Sequence, residues 1–125
     1  MRLLLDTHVL LWWLADDPAL SKQARGLIAN EPEVFASAAS AWEIAIKQAL
    51  GKLEAPEDLL TALEAGGIRR LPIDVEHAAV AGALPRHHDD PFDRMLVAQA
   101  QQEGLTLLTS DVRIARYAVT VLPAS

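Results

Sequence analysis

The sequence predicts an α/β fold, a mostly parallel sheet flanked by helices on both faces. Short apolar runs alternate with stretches of helical spacing along the chain. Most of those runs are apolar at every position, the pattern of strands buried on both faces. The 125 residues are 51 % hydrophobic and 22 % charged, which predicts a buried core, and the length makes one domain spanning 1–125 the expectation.

The elements follow in order. Arg2 to Leu5 is an apolar run that ends at a carboxylate and reads as a buried strand. Val9 to Leu14 reads as a helix stopped by Asp16-Asp17-Pro18, and Leu20-Ser21 opens a second helix with Ala24, Leu27 and Ile28 on its buried face. Val34 to Ala36 is a second strand. Ser40 and Glu43 have the spacing of a capping box, so a helix is expected from Ser40 to a stop at Gly51. Pro56 precedes a helical stretch carrying Leu59, Leu60 and Leu63, closed by Gly66-Gly67. Arg70 to Ile73 is a strand and Val75 to Leu84 a short helix. Asp90-Pro91 starts a long helix, with an N-cap followed by proline at the first helical position, and Gly104 ends it. Leu105 to Thr109 is a buried strand, Asp111 caps a last short helix, and Val119 to Leu122 is the final strand.

Composition excludes several classes of function. The chain has no cysteine, which removes disulfide scaffolds, thiol nucleophiles and Cys-ligated metal centres. Its net charge of −6 argues against a protein that coats DNA with a basic surface. Met1 to Leu5 resembles the start of a leader, but Asp6 and His8 interrupt the apolar stretch and no small-residue cleavage site follows. The longest clean apolar run, Val9 to Ala15, is far below the roughly 20 residues that cross a bilayer. A cytoplasmic protein that does not enter a membrane is expected.

In a parallel sheet, sites form beyond the carboxyl ends of the strands. Asp6 and Asp111 each lie just past an apolar strand, and Glu43 and Asp93 lie in the first turns of the expected helices. Asp93 shares a helix face with Leu96, Val97 and Ala100, an unusual place for an unpaired charge. Each acid except Asp6 also has an ordinary explanation. Asp111 and Asp90 suit N-caps, Glu43 suits a capping box with Ser40 and a pair with Lys47, and Asp93 suits the positive end of its own helix. Taken jointly the four acids point into one cleft. Two carboxylates about 4 Å apart repel by about 4 kcal/mol at an effective dielectric near 20. A domain stable by only about 5–15 kcal/mol cannot carry several such pairs, so the acids must bind a cation, take up protons or stand farther apart. All-oxygen ligands select a hard ion, Mg²⁺ or Mn²⁺, and metal-assisted hydrolysis of a phosphodiester is the leading chemistry.

These residues carry a family likeness. Leu3-Leu4-Leu5-Asp6-Thr7-His8, Ser40-Ala41-Trp42-Glu43-Ile44, Asp90-Pro91-Phe92-Asp93-Arg94 running into Ala98-Gln99-Ala100, and Leu108-Thr109-Ser110-Asp111 resemble the PIN-domain nucleases, and among them the VapC-like toxins of toxin–antitoxin pairs. The likeness runs from Arg2 to about Leu122. It implies a PIN-like α/β/α sandwich and an Mg²⁺- or Mn²⁺-dependent endoribonuclease, commonly a homodimer, inhibited by a cognate antitoxin. It places the family's four acids on Asp6, Glu43, Asp93 and Asp111, with Asp6 and Asp93 as principal metal ligands. Asp90 is an extra acid, a cap or an outer ligand.

Supporting roles are expected of Thr7 and Thr109, which could orient a carboxylate or cap locally. Lys47, Arg86, His87, His88 and Arg94 could line a basic rim, with Arg94 the choice for a phosphate contact. His87 and His88 are adjacent and so poorly placed to share one ion, and His8 and His77 read as surface or half-buried residues. Of the neighbours Trp12 and Trp13, one is expected to be exposed on a dimer or antitoxin surface. Two rival readings stand beside the nuclease. One is an aspartyl phosphohydrolase, which wants an acid at position 8, where this chain has His8. The other is a degenerate domain used only for protein contacts.

Overall fold

The computed structural model describes residues Met1–Ser125. Five strands, β1 (Arg2–Leu5), β2 (Glu33–Ser37), β3 (Arg69–Leu71), β4 (Thr106–Thr109) and β5 (Val121–Pro123), form one sheet in the order β3-β2-β1-β4-β5. Every pairing is parallel. Helices α1 (Thr7–Ala15), α2 (Lys22–Asn30), α3 (Ala38–Ala49), α4 (Leu59–Ala65), α5 (Val75–Ala83) and α6 (Pro91–Glu103) connect them, with one 3-10 turn at Ile114–Arg116. No helix is long and apolar enough to cross a membrane.

Period-two alternation in the central strands divides the interior into two cores. Leu3 and Leu5 of β1 and Leu108 of β4 pack with Val9 and Leu10 of α1, Ala24 and Ile28 of α2 and Leu63 of α4. Leu4 and Leu107 face the other way, against Leu96, Val97 and Ala100 of α6. Burying each such leucine is worth about 1.5–3 kcal/mol, so β1 and β4, apolar on both faces, must be central. The chain order reverses between them: β2 and β3 extend the sheet on one side, β4 and β5 on the other.

Several element boundaries differ from the sequence reading. Helix α1 starts two residues early, at Thr7, because Asp6 is its N-cap and accepts from the Val9 N–H at 2.9 Å. Asp6 therefore has a helix terminus of its own, which the sequence reading denied it. Asp16, in the left-handed region at φ 52°, closes the helix. Helix α3 starts at Ala38 rather than Ser40, and the expected capping box does not form. Ser37 takes the cap by accepting from the Ala39 N–H at 3.0 Å, and two alanines suit the first turn. Ser40 is buried inside the helix, where it accepts from the Thr7 hydroxyl at 2.9 Å. Glu43 consequently sits in the second turn.

The tryptophan expectation is also corrected. Trp12 and Trp13 are both partly buried against the first core. The exposed tryptophan is Trp42, 63 % accessible, whose ring meets Phe92 edge-on at 5.4 Å.

Candidate active site

The site lies beyond the carboxyl ends of β1 and β4, where the strand order reverses and a sheet of this kind opens a crevice. Asp6 leaves β1 with its backbone N–H still bonded to Leu108 O at 3.2 Å, so it is fixed by the sheet itself. Its side chain is 5 % exposed and held twice: Oδ1 accepts from Val9, and Oδ2 accepts a short hydrogen bond from the Thr109 hydroxyl. Thr109 also accepts from the Asp111 N–H at 3.0 Å, and so links the first acid to the fourth. Thr7, by contrast, is committed to Ser40 and orients no carboxylate.

Glu43 is 4 % exposed. Its Oε2 accepts from Lys47 Nζ at 2.6 Å, one turn along α3, while its Oε1 is buried with no hydrogen-bond partner. A buried unpartnered carboxylate oxygen is costly, on the order of 1–3 kcal/mol or more for a charged group. An unpartnered carboxylate oxygen is a donor of the kind a hard cation takes. Asp93 lies in the first turn of α6, beneath the cap that Asp90 forms by accepting from Phe92 N–H at 2.8 Å and Asp93 N–H at 3.3 Å. Asp111 Oδ1 accepts from the Arg113 backbone N–H at 2.9 Å, and Arg113 also pairs with it through the guanidinium.

The electrostatics follow from this crowding. Burial raises the Asp6 carboxyl above its ordinary value, against the lowering effect of the Thr109 and Val9 hydrogen bonds. Asp93 is pushed up to about 6, first by burial and then by the charge of Asp90, with Asp6 and Glu43 adding to the repulsion and His88 opposing it. Burial works to raise Asp111 as well, but the Arg113 and His88 contacts outweigh it and the net shift is downward. Lys47 is raised by its hydrogen bond to Glu43. The four acids thus come from four separate segments and act on one another.

The structure revises the basic rim. His88 is 5 % exposed and belongs inside the cleft: its Nε2 lies 2.9 Å from Asp93 Oδ2 and 3.1 Å from Asp111 Oδ2. The three residues could hold a metal together, a grouping the sequence reading did not draw. Its only local signal was its place two residues before the Asp90 cap. Arg94 is not free for a phosphate. Its guanidinium donates to the carbonyls of Ala81, Leu84, Pro85 and His88 at 2.9–3.4 Å and so ties down the loop before α6. Arg86 and His87 are exposed, with His87 edge-on to Tyr117 at 5.0 Å. His8 is exposed, whereas His77 is 2 % exposed and fully inside, contrary to the half-buried expectation.

Comparison with known proteins agrees with this architecture. The PIN domain family model matches residues 3–119. The chain is 34 % identical over 114 residues to Ribonuclease VapC22 of Mycobacterium tuberculosis, an overlap of 89 % of this chain and 88 % of that protein. DNA-bound VapBC from Salmonella typhimurium superposes with a TM-score of 0.72 at 19 % identity, over 98 % of both chains. VapBC2 from Rickettsia felis, bound to a DNA fragment from its promoter, gives 0.70 at 16 % identity over 100 % of both. At those identities the two structures speak for the fold.

Proposed function

This chain belongs to the PIN-domain family, and from that membership we propose that it is a metal-dependent endoribonuclease, the toxin of a toxin–antitoxin pair. The observation that carries the reading is that Asp6 and Glu43 lie close enough to repel Asp93, and Asp111 to repel Asp6, with Glu43 Oε1 left unpartnered. The relative that is a ribonuclease supports RNA as substrate, and the VapBC complexes of the same fold support an antitoxin as partner. The family likeness also implies a homodimer. Trp42, Ile46 and Leu50, spaced four apart on and just beyond α3, leave an exposed apolar stripe of the kind a partner chain covers.

Asp6 and Asp93 would be the principal ligands of Mg²⁺ or Mn²⁺, with Glu43 and Asp111 completing the site directly or through waters. When bound, such an ion supplies a water ionised near neutral pH and neutralises charge on a phosphodiester oxygen. The remaining work falls to the chain. Thr109 holds Asp6 and, through its bond to the Asp111 backbone, sets the separation of the first and fourth acids. Lys47 occupies one oxygen of Glu43 and leaves the other for a cation. Asp93, whose carboxyl burial and neighbouring charge push up to about 6, would be held in its ionised form by a bound cation. The burial of Asp6 and Glu43 strengthens these interactions.

The test is cleavage of single-stranded RNA with Mg²⁺ or Mn²⁺, with and without EDTA, for the wild type, Asp6→Asn and Asp93→Asn. Losses of about 100-fold or more are expected from chelation and from either substitution, since several kcal/mol of charge stabilisation are removed. Cleavage indifferent to all three treatments overturns the proposal.

A further inference from the structure

His88 lies among the acids, and its ring nitrogens are not equivalent. Nδ1 is 3.1 Å from the Asp90 backbone nitrogen, which donates to it. A peptide N–H is only ever a donor, so Nδ1 must carry a lone pair and the ring proton must sit on Nε2. Nε2 is the atom that reaches Asp111 Oδ2 at 3.1 Å and Asp93 Oδ2 at 2.9 Å. A ring that coordinates an ion through Nε2 needs its proton on Nδ1, where it would collide with the Asp90 N–H.

The loop that carries the ring is also fixed. The Tyr117 hydroxyl accepts from the His88 N–H at 2.9 Å and donates to Pro85 O at 2.8 Å. Arg94 binds four carbonyls of the same stretch. The loop cannot swing away without breaking that network, and a ring flip would break the bond from the Asp90 N–H to Nδ1.

We propose that His88 is a positioning residue for the metal site: a ring pinned in the Nε2–H tautomer that donates to Asp111 and fixes its spacing from Asp93, and not itself a ligand. The proposal rests on the metal-nuclease reading above and deepens it. Carboxylates that hold a cation depend on such donors to present the right oxygens, and loss of one typically weakens metal affinity about 10–100-fold.

Two measurements test it. Nitrogen NMR of the imidazole in the metal-free protein should show Nε2 protonated and Nδ1 bare, and the pattern should persist when Mg²⁺ is added. Titration with Mn²⁺, followed by calorimetry, should show affinity about 10–100-fold weaker in His88→Ala. It should be largely restored in His88→Gln, whose amide places an N–H near the same spot. A ring that loses the Nε2 proton on Mg²⁺ addition overturns the proposal by making His88 a ligand. So does a His88→Gln protein that folds as the wild type does and binds Mn²⁺ no better than His88→Ala, or a His88→Ala protein of wild-type affinity. Failure of the wild type itself to bind Mn²⁺ removes the metal reading, an outcome separate from these.

Discussion

The molecule contains two assemblies of one histidine and two carboxylates, and they are nearly the same in local geometry. In one, His77 Nδ1 accepts from the Asp74 N–H at 3.1 Å, and Nε2 reaches Glu103 Oε1 at 2.9 Å. In the other, His88 Nδ1 accepts from Asp90 and Nε2 reaches Asp93 and Asp111. Either set could hold a metal by the spacing of its donor atoms alone. Their surroundings separate them. Asp74 caps α5 in a reciprocal capping box with His77, and the Asp74 and Glu103 side chains are 52 % and 38 % exposed, so water solvates both charges. At the cleft, Asp6 and Glu43 are buried nearby, and Asp93 is raised by its own burial and then by its neighbours' charge. On the proposed function, the metal site is the assembly with crowded, buried negative charge, and donor spacing alone does not single it out.

That contrast can be broken by experiment. The largest effect concerns metal-linked stability. Mn²⁺ at a hundredfold excess over its dissociation constant should stabilise the fold by about 2.7 kcal/mol. Asp93→Asn should abolish that gain and Glu103→Gln should keep it, as read by thermal melting with and without EDTA. Equal responses in the two variants would erase the distinction.

A smaller effect belongs to the other assembly. His77→Ala removes a buried ring that joins the start of α5 to the end of α6, and should destabilise the chain by about 1–3 kcal/mol in urea unfolding. Mn²⁺ affinity should stay at the wild-type value.

The smallest concerns pH. In the folded, metal-free protein Asp93 titrates at about 6, above its ordinary 3.8, so the folded state binds more protons than the unfolded one between those values. Stability should therefore rise as pH falls from 7 to 5, by about 1 kcal/mol from this group. Asp6, also raised, acts in the same direction. Asp93→Asn or saturating Mg²⁺ should remove this contribution, and a wild type and Asp93→Asn with the same dependence of stability on pH would contradict it.

Much of this was legible in the sequence because it is written locally. Leu3-Leu4-Leu5 and Leu107-Leu108 announce central strands by being apolar on both faces, and Asp90-Pro91 marks the start of α6. A parallel sheet then sends Asp6 and Asp111 to one edge. What was missed is non-local or depends on competition between neighbours. Ser37 and Ser40 both offer caps, and only the end of β2 decides for Ser37. His88 and Arg94 look like surface bases because their partners, Asp111 for one and a run of carbonyls for the other, come from the folded loop and not from a sequence spacing. Trp12, Trp13 and Trp42 are equally apolar letters, and burial was settled by packing across elements.

The hydrogen bond between Thr109 and Asp6 joins positions 103 residues apart. The bond can form only once β1 and β4, far apart in the chain, have paired in the sheet. A prematurely terminated chain that stops short of Asp111 lacks one of the four acids. On the proposed function, cleavage therefore depends on the pairing of β1 with β4 and not on either segment alone.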